Sequence, residues 1–138
     1  MLFWPAKRAT LLIPTGPAHD PDRKHLFILL TDPVLVPDVA VKQVLLVGIA
    51  TRNLKLPHDA TCVLYPGDHP FVTRESYVNY RFARIEEADK LVTGVQKGLL
   101  VPKGTIDTGI FARVCQGLFD SRHTVPKMLS FYQAATGQ

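Results

Sequence analysis

Histidine, lysine and hydroxyl side chains gather in two places along this chain, and together they could move protons on an anionic substrate. The first is Arg23-Lys24-His25, a basic knot at the mouth of a long apolar run. The second is the stretch Tyr65 to Tyr77, which holds a Gly67-Asp68 turn, then His69, Pro70, Phe71, Arg74 and Ser76. Loops held on a rigid scaffold are where binding and chemistry concentrate. Imidazole titrates near neutrality, so His25 and His69 are the candidates for general acid or base. Each has a plain alternative: a surface or hydrogen-bonded histidine, with Gly67-Asp68 only a turn and Pro70 only an edge marker.

Cations surround these places. Arg23, Arg52, Lys55, Arg74 and Arg81 could line one groove for a polyanion, with Tyr65, Phe71 and Tyr77 as stacking surfaces for unpaired bases. They could equally be scattered, solvated charges. The net charge of +4 favours a polyanionic partner only modestly. The five histidines show no His-x-x-x-His or His-x-Glu spacing, and Cys62 and Cys115 form no Cys-x-x-Cys pair. Neither a metal site nor a cofactor is expected. Both cysteines lie in apolar segments and read as inert buried thiols. Phosphate-binding glycine loops and a Gly-x-Ser-x-Gly elbow are missing, which argues against nucleotide and serine hydrolysis.

The elements that must position these residues fit one domain over 1–138, since 46% apolar and 20% charged residues suit a single folded core. Thr10 to Ile13, His25 to Thr31, Lys42 to Ala50 and Thr61 to Tyr65 read as strands. Thr15 to Lys24 reads as an exposed loop, and Asp32 to Asp38 as a turn. Tyr77 to Ile85 alternates, with Tyr77, Asn79 and Arg81 on a wetter face and Val78, Tyr80 and Phe82 on the other. Glu86 to Leu91 could make one helical turn, and Leu91 to Val101 a strand or loop broken by glycine. Asp107 to Phe119 has helical spacing with Asp107 as N-cap, and Thr124 to Gln133 forms a last helix capped by Thr124. Strands first and helices last argue for the α+β class: a small β-barrel or bent antiparallel sheet with helices packed on one end. No apolar run is long enough to span a bilayer, and the apolar start is too short for a signal peptide, so a cytoplasmic protein is expected.

Three segments in order resemble the PemK/MazF family of toxin endoribonucleases over roughly residues 10 to 118. They are Arg23-Lys24-His25 with the strand Leu26 to Leu30; the strand Val44 to Ala50 with Thr51 and Lys55-Leu56-Pro57; and Glu75-Ser76-Tyr77-Val78 leading to Ala83-Arg84-Ile85 and Asp89-Lys90-Leu91. The resemblance implies an SH3-like antiparallel β-barrel with C-terminal helices. It also implies a homodimer that cuts single-stranded RNA without a metal and is neutralised by a cognate antitoxin. Thr51 matches the family's catalytic threonine and Ser76 its later serine. Lys24 stands where the family has arginine, and His25 where it usually has proline. The family's glycine-rich first loop is here Gly16 to Asp22, with a single glycine.

RNA cleaves itself when a 2′-hydroxyl attacks the neighbouring phosphate. An enzyme then needs a base, a cation for the crowded phosphate and an acid for the leaving oxygen. Lys24 or Arg23 could supply the cation, His25 or His69 the base or acid, and Thr51 and Ser76 hydrogen bonds to phosphate oxygens. Thr51 as a strand-end cap and Ser76 as a turn hydroxyl are the plain alternatives. The rival to an endoribonuclease is a catalytically inactive barrel that binds RNA or a protein partner, the latter through Met128, Leu129, Phe131 and Tyr132.

Overall fold

The computed structural model describes residues 3–15 and 23–138. The first loop's Gly16 to Asp22 lies outside them. Six strands form one antiparallel sheet: β1 (Ala9–Pro14), β2 (Lys24–Leu29), β3 (Gln43–Thr51), β4 (Val63–Leu64), β5 (Ser76–Glu87) and β6 (Val101–Thr105), in the order β4-β5-β3-β2-β1-β6. The sheet curls into a half-barrel, and three helices complete an α+β fold: α1 (Ala88–Gln96), α2 (Thr108–Asp120) and α3 (Pro126–Thr136).

The near-continuous apolar runs of β2 and β3 have a direct cause: both faces of the sheet are covered. On one face Leu26, Ile28, Leu45, Val47 and Ile49 pack with Tyr80 and with Val114, Leu118 and Phe131 of α2 and α3. On the other, Leu11, Phe27, Leu29, Val44 and Leu46 pack with Ala88 and Leu91 of α1. Tyr80 is fully buried and donates its hydroxyl proton to the Val114 carbonyl at 2.6 Å, tying β5 to α2. Phe119 and Tyr132 meet edge to face at 5.6 Å and tie α2 to α3.

Four expectations need correction. The order is not strands first and helices last, because α1 and then β6 interrupt it, and β6 pairs with β1 at the sheet's far edge. The segment 88–96 is one continuous helix rather than a single turn followed by a strand or loop; its stop is Gly98, whose φ of 74° turns the chain while its N–H bonds the Val95 carbonyl. Thr124 does not cap α3: Val125 occupies that position, and the Thr124 hydroxyl donates to the Leu118 carbonyl. Phe82 does not share the face of Val78 and Tyr80. The β3–β5 register jumps between Gly48↔Asn79 and Leu46↔Arg84, so a bulge at Tyr80–Ala83 turns Phe82 outward, 68% exposed. Asp107 caps α2 as expected, accepting from the N–H groups of Gly109 and Ile110. Cys115 is buried within α2, and Cys62 is buried just ahead of β4.

Candidate functional site

The β2–β3 pairing ends at Phe27↔Gly48, although β2 starts at Lys24 and β3 runs on to Thr51. Between these ends, which do not pair with each other, lies a groove of about 360 Å³. Lys24 and His25 line it from β2, Thr51 from β3, Ser76 from β5, and Phe71 and Arg74 from the loop before β5. Thr51 pairs directly with Ser76 across the β3–β5 ladder, which fixes that side of the groove.

His25 is half-buried and its Nδ1 makes a hydrogen bond with the Thr15 hydroxyl, which orients the ring. Burial, and then the nearby Arg23 charge, push its pKa below the ordinary histidine value. At neutral pH the ring is therefore neutral and able to accept a proton. Lys24 and Arg74 bring positive charge to the same space, and exposed Phe71 offers a ring face. A base, two cations and a threonine hydroxyl at one open groove suit a phosphodiester.

His69 does not join them. It is 2% exposed, and its Nδ1 accepts from the Phe71 N–H at 3.0 Å. That leaves Nε2–H to point at the Lys103 carbonyl and the Thr10 hydroxyl, each 3.0 Å away, while Thr10 gives its own proton to Gly104. Burial first, and the Lys103 charge, lower its pKa against the opposing Lys103 carbonyl. With both ring nitrogens engaged, His69 clamps the Tyr65–Tyr77 segment onto β1 and β6; a proton-transfer role at the groove is withdrawn. The turn before His69 is also structural: Asp68 accepts from the Tyr65 N–H at 2.8 Å to close it.

Ser76 reaches the groove, but its proton goes to the Arg74 carbonyl at 2.8 Å, the turn role. Arg52 is held by Glu75 at 3.2 Å and by His58, whose Nε2 accepts from Arg52 Nε at 2.9 Å. The His58 ring in turn lies 5.0 Å from Tyr77. Arg52 is thus a strut for the loop after β3. Lys55 and Arg23 are exposed and line neither this groove nor the cavities beside it. Arg81 lies further along the outer face, paired with His123 Nδ1 at 2.8 Å, in a depression that also holds His58, Tyr77 and Arg122.

Sequence reasoning missed Thr15, Arg84, Arg122 and His123 as parts of this surface. Alternation puts Asn79 on the wetter face of β5 and assigns it no role. The register of β5 was the signal, and it depends on a bulge that alternation alone does not reveal.

Among the described residues no three His, Cys, Asp or Glu side chains stand close enough to hold a metal together. No described helix is long and apolar enough to cross a membrane. Compared with protein-family models, with curated proteins and with solved structures, the chain finds no match in any of the three.

Proposed function

We propose that the protein is a metal-independent endoribonuclease of the PemK/MazF-like, SH3-barrel kind: a cytoplasmic, homodimeric toxin that cuts single-stranded RNA and is held in check by an antitoxin protein. The observation that carries this reading is that Lys24 and His25 at the start of β2 and Thr51 at the end of β3, all named from sequence, line one groove. His25 removes the proton from a 2′-hydroxyl. The freed oxygen bonds to the adjacent phosphorus, and the bond from phosphorus to the 5′-oxygen breaks. Lys24 and Arg74 balance the added negative charge, Thr51 donates a hydrogen bond to a phosphate oxygen, and the leaving 5′-oxygen takes its proton from water. The products are a 2′,3′-cyclic phosphate and a 5′-hydroxyl.

The second reading, an RNA-binding barrel that does not cut, is favoured by one observation: among the described residues His25 is the single histidine lining the groove, and no Asp or Glu lines it. Induced expression separates the two. A toxin arrests growth and the Lys24→Ala, His25→Ala and Thr51→Ala variants relieve the arrest. Harmless wild-type protein that leaves RNA intact while binding it at low salt supports the second reading and removes the first.

A further inference from the structure

Beside the groove, and sharing His25, Ile49 and Ala50 with it, lies a second cavity of about 250 Å³. Its floor is Gly48 and the ring of Phe27. A Cβ at position 48 would stand 3.0 Å from that ring, so only glycine leaves the floor open without displacing it. Arg84 lies across Phe27 with its guanidinium 4.6 Å from the ring centre. Asn79 and the outturned Phe82 form the wall toward β5. The bulge creates this wall, and bulges commonly re-aim side chains beside functional sites.

Two side chains bring unused hydrogen-bonding groups to this cavity. Arg84 turns its buried Nε to Glu86 Oε1 at 3.5 Å as an ion pair, yet the side chain is 38% exposed and its terminal guanidinium nitrogens make no hydrogen bond among the described residues. Those terminal nitrogens are donors open to an acceptor from outside the chain. Among the described residues the half-buried Asn79 carboxamide also makes no hydrogen bond. A donor-rich edge, a free amide, an exposed phenylalanine and a guanidinium plane are the parts that hold an unpaired base.

We propose that this cavity reads one unpaired keto base, uracil or guanine, of the strand whose phosphate lies in the adjoining groove. The proposal rests on the RNA reading above and adds to it a specificity pocket. Arg84 donates to the base carbonyl, Asn79 completes the edge, and Phe82 covers the ring face. Adenine and cytosine place an amino donor where the keto bases place a carbonyl, and meet Arg84 donor to donor.

The test uses fluorescence anisotropy with labelled 2′-O-methyl octamers of uridine and of cytidine, which cannot be cut and differ only along that edge. Wild-type protein is expected to bind the uridine octamer about tenfold or more tightly, the discrimination a well-placed side-chain pair gives. Asn79→Ala is expected to bring the two octamers within about twofold, and Arg84→Lys, which keeps the charge and removes the planar guanidinium fork, to do the same. Thermal melting verifies that each variant is folded, and either one suffices. Equal binding of both octamers by wild-type protein overturns the pocket and leaves RNA binding standing. A preference that survives both substitutions also overturns it. Binding of neither octamer overturns the pocket and the RNA reading together.

Discussion

A Cβ on Gly117 would stand 2.0 Å from the Tyr80 hydroxyl, the same hydroxyl that donates to Val114 one turn earlier on α2. The helix can seat on β5 only because position 117 has no side chain. Gly117→Ala is expected to lose about 3 kcal/mol or more, by overpacking and by forcing a buried hydroxyl off its acceptor. Urea unfolding checks this; a loss under about 1 kcal/mol would mean that α2 can shift freely.

His69 should make the fold acid-sensitive. Its folded pKa lies below the unfolded value of 6.5, so below about that pH the unfolded chain binds more protons than the folded one. Stability is therefore fully present above pH 6.5 and declines as pH falls toward the folded pKa; His25 adds in the same direction. His69→Ala should cost about 1–3 kcal/mol at pH 7.5, from unpaired buried groups, and flatten this decline. An unchanged slope of stability against pH in the variant would refute the assignment.

RNA cleavage should depend on His25 in a way that reports its pKa. As the base, the ring must be neutral, so the rate rises with pH and levels off with a midpoint below 6.5. His25→Ala should lower the rate about 10²- to 10⁴-fold. A rate that keeps falling as pH rises through 6 to 8 contradicts a neutral base.

Arg74 and Arg52 should behave differently although both are cations near the same loop. Arg74 lines the groove, so Arg74→Ala should weaken RNA binding and reduce the salt slope by about 1. Arg52 is occupied by Glu75 and His58, so Arg52→Ala should leave the salt slope unchanged and cost at most about 1 kcal/mol of stability, the pair being partly exposed. Equal effects of the two on the salt slope would refute the distinction.

Much of this was legible in the sequence. The apolar runs at Leu26–Leu30 and Val44–Ile49 marked strands because both sheet faces are covered. Lys24 and His25, which precede one apolar run, and Thr51, which follows another, were readable as candidates from the basic knot at Arg23-Lys24-His25 and from the PemK/MazF resemblance. His69 was not readable: its residue type suits chemistry, and only long-range contacts with Thr10 and Lys103 show both its nitrogens engaged. Phe82 misled for a related reason. Alternation assumes an unbroken ladder, and the bulge opposite Val47 reverses the faces without any glycine or proline within Tyr80–Ala83 to announce it. The helix 88–96 was hidden by Gly94, a residue that weakens a helix yet here faces Leu100 at close range.

The most direct test of the groove as a ribonuclease centre is the end chemistry of a single-stranded RNA incubated with purified protein in EDTA. The account predicts fragments ending in 2′,3′-cyclic phosphate and 5′-hydroxyl from wild-type protein, and intact RNA from folded His25→Ala and Lys24→Ala. RNA of varied sequence left intact by folded wild-type protein, or cut equally well by both variants, would contradict it.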